Sequence, residues 1–231
     1  MTRFLRSVFY YANLTWVRLI LLVVGNLDIQ GRENVPRDGP LILACNHLNN
    51  ADPPVLTHAT PRQIAWLTKA EWFSTPVIGP MMKIGGMIPV RRFDADLKAL
   101  RQAQEHLQQG GCLGMFPEGT RSHGEGLKRG EPGSALIALR SGAPVQPVAI
   151  WGTEHVKFPR DFFRRTRAHV QFGHPFTLDR QTKVTRTDIE SGTDRIMREI
   201  ASLLPEEFRG AYSSPGTSPP QANAETTATN P

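Results

Sequence analysis

His47 and Asp52, with four residues between them, could together carry proton-transfer chemistry. An imidazole can take a proton from an alcohol near neutral pH, and a nearby carboxylate can fix its tautomer and stabilise the cation that forms. Residues five positions apart in one α-helix lie about 140° apart around its axis and cannot pair. We therefore predict that His47 precedes a helix that Asp52 opens, with Pro53 at its first helical position.

A second block, residues 116–122, reads Phe-Pro-Glu-Gly-Thr-Arg-Ser and has the composition of an anion-binding turn. Glycine lets backbone N–H groups approach a ligand oxygen, and the guanidinium of Arg121 can bind two phosphate oxygens at once. Taken alone, each block has a simpler interpretation. His47 could be an ordinary loop histidine with Asp52 as a helix cap, and residues 116–122 could be a solvated turn. Their joint presence favours a site that activates a hydroxyl group.

Four blocks in this order resemble the glycerolipid acyltransferase family, specifically the bacterial 1-acyl-glycerol-3-phosphate acyltransferases. They are residues 46–52, residues 85–92 (Gly-Gly-Met-Ile-Pro-Val-Arg-Arg), residues 116–122 and residues 143–150 (Ala-Pro-Val-Gln-Pro-Val-Ala-Ile). The second block departs from the family pattern, because Met-Ile-Pro-Val stands where an aromatic-Ile-polar stretch is more usual before the arginine.

The resemblance implies direct acyl transfer. His47, held by Asp52, would remove a proton from the free hydroxyl of 1-acyl-glycerol-3-phosphate. The hydroxyl oxygen would then attack the thioester of an acyl-CoA or acyl carrier protein, giving phosphatidic acid. We expect backbone donors around Glu118 to Thr120 to meet the developing oxyanion.

The resemblance also implies acceptor-binding roles for Glu118, Gly119 and Arg121. Further candidates for contact with the phosphate are Arg91 or Arg92, with Lys69, and Lys128. Each basic residue taken singly could instead be a solvated surface charge.

Other chemistries remain open at this stage. The same base could acylate an aminolipid or a glycolipid, water could replace the alcohol in a thioesterase, or the cleft could serve a non-enzymatic lipid-binding protein. Cys45 would share a strand face with His47, so a Cys/His nucleophile is a further alternative. The seven histidines form no His-Glu-x-x-His pair and no Cys/His cluster, so we expect no metal and no cofactor beyond the acyl donor.

Composition agrees with one sizeable folded domain that meets anionic partners. The chain has 231 residues, 39% of them hydrophobic, and a net charge of +6. No nucleic-acid recognition motif occurs and the basic residues are dispersed, so we expect phosphorylated substrates and anionic lipid head groups as partners, and no nucleic acid. The two cysteines fall in apolar runs, which is typical of reduced core residues.

Hydrophobic periodicity alternates between strand and helix patterns and predicts an α/β domain, with a mixed central sheet flanked by helices. The predicted strands are residues 41–45, 63–67, 112–116, 145–151 and 168–172. One predicted helix begins at residue 52, and three others span residues 94–109, 133–141 and 187–204.

The two ends of the chain differ from the middle. Residues 1–30 are apolar and aromatic but interrupted by Arg18, which favours an interfacial membrane anchor over a signal peptide or a spanning helix. A helix packed on the domain itself would show the same pattern. Residues 31–210 form the predicted acyltransferase domain, and the Pro-rich residues 211–231 a disordered tail. We expect the protein at the cytoplasmic face of the cell membrane.

Overall fold

The computed structural model of the chain describes residues 26–76, 78–91, 96–155, 167–179 and 183–213. Nearly all of the predicted membrane anchor lies outside the described residues, as do Arg92 and residues 214–231 of the predicted tail. Within the described ranges, no helix combines the length and the apolar character needed to cross a bilayer.

The described residues form seven strands and five α-helices, separated by short 3-10 helices. We label the strands β1 to β7: Leu27–Gln30, Leu41–Cys45, Ile64–Lys69, Ile88–Val90, Cys112–Met115, Val145–Trp151 and Ala168–Phe172. The helices are α1 to α5: Asp52–Ala59, Ile78–Ile84, Leu97–Gln108, Gly133–Ser141 and Arg186–Leu203. The 3-10 helices are Arg32–Asn34, Ala70–Ser74, Thr153–His155, Glu206–Phe208 and Gly210–Tyr212.

The strands form one sheet in the order β1-β7-β6-β2-β5-β3-β4. Neighbouring strands are parallel except β6 and β7, which confirms the predicted mixed sheet. Strand β2 pairs with β5 on one side and with β6 on the other. The carboxyl ends of β2 to β6 therefore meet at one edge of the sheet, which we call the carboxyl edge. In open α/β sheets this edge is where ligands bind.

Helices cover the central strands on both faces because those strands are apolar on both sides. All five residues of β2 are buried. Ile42 and Ala44 face a core shared with α3, α4 and α5, whereas Leu41, Leu43 and Cys45 face a core shared with α1. The strand that leads to His47 is thus fixed from both faces.

The bounds of β2, β6, β7 and α4 and the start of α1 are as predicted, and the other predicted elements differ at their ends by one to three residues. Helix α3 begins at Leu97 rather than at residue 94, because the Asp96 carboxylate caps it by accepting from the Ala99 N–H at 3.0 Å. Strand β4 and helix α2 were not predicted, since both are short, β4 follows Gly85 and Gly86, and α2 contains Gly79 and Pro80.

The folded region extends beyond the predicted domain boundaries at residues 31 and 210. Leu27–Gln30 is an edge strand whose alternating apolar residues pack on the core of the sheet. Four residues are too few for that alternation to stand out beside the long apolar stretch that precedes it. At the other end, Tyr212 is buried against the core, so the folded region continues past residue 210.

Candidate active site

His47 and Asp52 meet at the carboxyl edge, where the chain turns from β2 into α1. His47 follows the last residue of β2 by two positions, and Asp52 is the first residue of α1. The His47 Nδ1 lies 2.8 Å from the Asp52 Oδ2. His47 is 6% exposed and Asp52 is fully buried, so the pair is largely screened from water. The predicted strand-end histidine and helix-start aspartate are therefore in contact.

Asp52 accepts hydrogen bonds from three groups besides His47. Its Oδ2 accepts from the backbone N–H of Leu48 at 2.7 Å and of Asn49 at 2.8 Å, and its Oδ1 accepts from the Thr153 hydroxyl at 2.6 Å. Backbone N–H groups can only donate, so Oδ2 acts as an acceptor and the shared proton resides on the His47 Nδ1. In the neutral imidazole, the Nε2 of His47 is then the nitrogen without a proton. Within the described ranges Nε2 has no hydrogen-bond partner, and it is not fully buried.

Glu118 links the loop of His47 to a second loop that contains Lys128. Its Oε1 accepts from the His47 backbone N–H at 2.7 Å, and its Oε2 accepts from the Lys128 backbone N–H at 2.9 Å. Burial raises the pKa of the Glu118 carboxyl to about 7, although the two N–H donors and the Lys128 charge act in the opposite direction. Glu118 therefore positions the backbone that carries His47.

The raised pKa of Glu118 makes stability depend on pH. The folded protein holds the proton of Glu118 more tightly than the unfolded chain does, so its contribution to stability is complete below about pH 4.5 and is lost as pH rises through about 7. A shift of this size corresponds to about 3 kcal/mol. We expect urea unfolding to show that, from pH 5 to pH 8, the free energy of unfolding of wild type falls relative to that of Glu118→Gln. Parallel pH curves for the two proteins would contradict this.

Arg121 lies beside the loop of His47, as the predicted anion-binding turn at residues 116–122 requires. The next residue, Ser122, donates its backbone N–H to the His47 carbonyl at 2.8 Å. The Lys128 Nζ donates to the Arg121 carbonyl at 3.0 Å, so one of the three ammonium donors of Lys128 braces this turn. The half-buried Arg121 guanidinium makes no hydrogen bond or ion pair to the described part of the chain. Its donors are thus available for a ligand.

Gly119 and Thr120 form the tip of the turn. Gly119 has φ 65°, a conformation that favours glycine, and a Cβ there would lie 3.0 Å from the Glu131 Cγ. Its N–H donates to the Phe116 carbonyl at 3.0 Å, so this one of the backbone donors around Glu118 to Thr120 is already engaged. Thr120 is exposed, and its N–H has no partner among the described residues.

Lys69 and Arg91 lie at the carboxyl edge but farther along the sheet, at the ends of β3 and β4. Lys69 ends β3 opposite Val90, the last residue of β4, and Arg91 follows. The Lys69 Nζ forms an exposed ion pair with Glu71 at 3.2 Å. Arg91 is exposed and lines a cavity that also touches Gly119. In the described part of the chain, the contacts of Lys69 do not join it to the hydrogen-bond network of His47.

Two functional residues at this site were missed in the sequence. Thr153 lies two residues after the end of β6, and its hydroxyl donates a hydrogen bond to Asp52. The Asn46 side chain donates to the Ile150 carbonyl and accepts from the Ile150 N–H, both at 2.8 Å, so it continues the pairing of β2 with β6 beyond Cys45. In the sequence, only the position of Thr153 shortly after a predicted strand indicated that it could lie at the same edge of the sheet as His47.

Aromatic stacking also fixes the imidazole. The rings of His47 and Phe116 stack with centroids 3.9 Å apart, and Trp66 stacks on Phe116 at 5.0 Å. The Trp66 Nε1 donates to the Thr57 hydroxyl in α1 at 3.0 Å. The ring of His47 is therefore held by its Nδ1 hydrogen bond and by one packed face.

Cys45 does not have the properties of a nucleophile. Its side chain is fully buried in the core on the α1 side, with Sγ 3.7 Å from the Asn46 Oδ1. Burial, followed by the nearby charges of Asp52 and Glu118, raises the pKa of the thiol well above its usual range, so the reactive thiolate does not form. Across the ranges that the structure describes, no group of three His, Cys, Asp or Glu side chains could hold a metal ion.

An apolar cavity of about 510 Å³ adjoins the site on the side of α3 and α4. Phe116 contributes to its wall and, with its ring stacked on His47, connects the cavity to the imidazole. The remaining wall is mainly aliphatic and includes Leu67, Leu100, Met115, Leu136 and Ile137. Its dimensions and lining suit a flexible apolar chain.

A crystal structure and two curated relatives resemble this chain. The structure of the 1-acyl-sn-glycerophosphate acyltransferase PlsC from Thermotoga maritima matches with a TM-score of 0.64 and 25% identity, covering 79% of this chain and 76% of that one. The 1-acyl-sn-glycerol-3-phosphate acyltransferase of Bacillus subtilis is 30% identical over 69% of this chain and 78% of its own length. The lyso-ornithine lipid O-acyltransferase of Pseudomonas aeruginosa is 35% identical over 53% of this chain and 47% of its own length.

The lengths of the relatives differ widely. The chain spans less than half of two chloroplastic 1-acyl-sn-glycerol-3-phosphate acyltransferases, 44% and 42% of their lengths. The pattern that defines the acyltransferase family matches residues 26–151, which is more than half of this chain and includes His47, Asp52 and residues 116–122. The resemblance inferred from the four sequence blocks is thereby confirmed, and the chain belongs to the acyltransferase family.

Proposed function

We propose that this protein transfers a fatty acyl group from acyl-CoA or acyl carrier protein to the free hydroxyl of 1-acyl-glycerol-3-phosphate, giving phosphatidic acid. The reaction would take place at the cytoplasmic face of the membrane. The observation that carries the proposal is the hydrogen bond between the His47 Nδ1 and the Asp52 Oδ2. It leaves Nε2 as a proton acceptor at the carboxyl edge of the sheet.

The proposed reaction is a direct displacement. The His47 Nε2 takes the proton of the lipid hydroxyl while the hydroxyl oxygen forms a bond to the thioester carbonyl carbon. Asp52, held by its backbone donors and Thr153, stabilises the imidazolium that results. Collapse of the tetrahedral intermediate breaks the carbon–sulfur bond, and the imidazolium returns its proton to the departing thiolate. Each group ends in its starting state, without an acyl-enzyme.

Two features support a phosphorylated acceptor with an acyl chain. Arg121 places a fork of donors beside the loop of His47, and a guanidinium can bind a phosphate through two hydrogen bonds. Arg91 stands at the border of the apolar cavity, where a second charge contact with the phosphate is possible. The cavity itself would receive an acyl chain, with Phe116 between that chain and the base.

Acceptor-dependent thiol release tests this proposal. With acyl-CoA as donor, we expect lysophosphatidate to stimulate release of free CoA by at least about a hundredfold over the rate without acceptor. Release that does not depend on an acceptor would identify a thioesterase. Stimulation only by lyso-ornithine lipid would favour the acceptor named for the Pseudomonas aeruginosa relative. Absence of release with every lysolipid would refute acyl transfer from CoA, and the same panel with acyl carrier protein would complete the test.

Arg121→Ala provides the matching test of the phosphate contact. Loss of a charge-assisted hydrogen bond should raise KM for lysophosphatidate about tenfold to a hundredfold, and should change KM for 1-acylglycerol, which lacks the phosphate, by less than about threefold. Arg101→Ala is the control, because Arg101 is exposed on α3 and pairs with Glu105 in its own helix. Equal effects on both acceptors would remove Arg121 from the phosphate site.

A further inference from the structure

A short segment after β3 carries apolar side chains that the folded domain leaves uncovered. We call the 3-10 helix Ala70–Ser74 together with α2, Ile78–Ile84, the apolar appendage. Four large apolar side chains are exposed in the described part of the protein, and three of them lie here: Trp72 at 44%, Ile78 at 38% and Met81 at 47%. Exposed apolar residues scattered singly need no explanation, but a cluster within ten positions does.

The apolar appendage has its own packing and takes no part in the described hydrophobic cores. No residue of Ala70–Ser74 or α2 belongs to either core cluster of the described chain. Instead α2 packs on the 3-10 helix. The two come so close at Gly79 that a Cβ there would lie 2.3 Å from the Phe73 carbonyl oxygen. The exposed side chains therefore stand on an ordered support.

The position of the apolar appendage relates it to the active site. It begins immediately after Lys69, the last residue of β3, and so stands on the carboxyl edge. Strand β3 also supplies Trp66, which stacks on Phe116 and through it on His47. A surface that rests on the apolar appendage would consequently lie at the same edge of the sheet as the imidazole.

The charges around the apolar appendage are mainly basic. Residues 69–91 contain Lys69, Lys83 and Arg91 against a single acidic residue, Glu71. Glu71 is already paired with Lys69, and Lys83 and Arg91 are exposed. An exposed tryptophan beside aliphatic side chains and a basic rim is the combination that binds the head-group region of an anionic bilayer.

We propose that the apolar appendage inserts Trp72, Ile78 and Met81 into the head-group region of an anionic membrane and thereby holds the active site against the lipid surface. This contact is separate from the predicted N-terminal anchor. The choice of a lipid occupant rests on the proposed function, because a lysolipid acceptor with long acyl chains resides in a membrane. The insertion itself can be measured without any catalytic readout.

A fluorescent probe at residue 81 tests the insertion in the full-length protein. The chain has two cysteines, Cys45 and Cys112, and both are buried, so Met81→Cys can be labelled selectively with an environment-sensitive fluorophore. On vesicles of phosphatidylglycerol and phosphatidylcholine, we expect its emission to shift to the blue, to rise about twofold or more, and to be quenched by spin-labelled lipid. Ser202→Cys, exposed on the last helix, is the matched control and should show neither effect.

Three results would overturn the inference. They are an unchanged probe at residue 81 on vesicle-bound protein, a complete lack of vesicle binding, and an emission change without vesicles that grows with protein concentration. The last result would identify a second copy of the chain as the partner. A probe that inserts while every lysolipid fails as acceptor would instead refute the proposed function and leave the insertion standing.

A second variant connects insertion to turnover. Replacing Trp72, Ile78 and Met81 together with serine should lower vesicle partitioning by about tenfold, and should slow acylation of vesicle-embedded lysophosphatidate to a similar extent. Acylation of a dispersed short-chain lysophosphatidate should remain unchanged, because none of the three residues contacts the His47 network. Equal loss with both forms of the acceptor would point to a damaged fold.

Discussion

Replacing His47 with alanine is expected to lower kcat for acyl transfer to lysophosphatidate by about a thousandfold, with a change in KM below about threefold. A positioned general base contributes on the order of 10² to 10⁴ in rate, and the substitution removes the proton acceptor. The backbone contacts of residue 47, to Glu118 and from Ser122, do not involve the imidazole and should persist. Steady-state kinetics with a thiol reagent for released CoA would measure both constants.

His174→Ala is the matched control for this variant. His174 is exposed and follows β7, which runs antiparallel to β6, so it lies at the opposite edge of the sheet. Its kcat and KM should equal those of wild type. If His47→Ala raised KM and left kcat intact, the imidazole would have a binding role in place of proton transfer.

Asp52→Asn is expected to lower kcat by about a hundredfold to ten-thousandfold while the protein stays folded. An asparagine oxygen at the position of Oδ2 can still accept from the Leu48 and Asn49 N–H groups and from the His47 Nδ1. The amide nitrogen then faces the Thr153 hydroxyl. The neutral amide, however, removes the negative charge that stabilises the imidazolium formed at His47, so proton transfer to Nε2 becomes less favourable. The same exchange in a serine-protease triad, where it also reverses the histidine tautomer, lowers kcat by about 10⁴, which sets the upper end of the expected range.

Thr153→Val is expected to lower kcat less than Asp52→Asn does. It removes one donor from the Asp52 Oδ1 and leaves the Oδ2 contact with His47 in place. We expect kcat to fall by only about threefold to tenfold, since one neutral hydrogen bond contributes about 1 kcal/mol. Comparable losses in the two variants, with thermal unfolding unchanged, would show that the orientation of the Asp52 side chain and not its negative charge limits the rate.

The contact between His47 and Asp52 was predictable because its logic is local. A spacing of five cannot pair in one helix, so a turn between strand and helix was required, and the strand Leu41–Cys45 and the helix opened by Asp52 occur where expected. Family resemblance placed residues 116–122 in the same site without any geometric argument. The structure adds the bridge from Glu118 to the His47 backbone.

Features that depend on distant pairing were not predictable in this way. Thr153 reaches Asp52 only because β6 pairs with β2, and Asn46 bonds to Ile150 for the same reason. The engagement of the Gly119 N–H by the Phe116 carbonyl depends on the turn geometry, which the composition of the block does not specify. Similarly, the exposure of Trp72 and Met81 follows from how α2 packs, since apolar residues in a sequence look alike whether they are buried or not.

Rapid-quench single-turnover kinetics with radiolabelled acyl-CoA and bound lysophosphatidate would test direct transfer through His47. In wild type, we expect label to pass from CoA to phosphatidic acid in one phase, with no label on the protein at any time. In His47→Ala, the transfer rate should fall by about a thousandfold although the acceptor remains bound. Label that appears on the protein before product forms, or a His47→Ala rate within tenfold of wild type, would contradict the role of His47 as the base in a direct transfer.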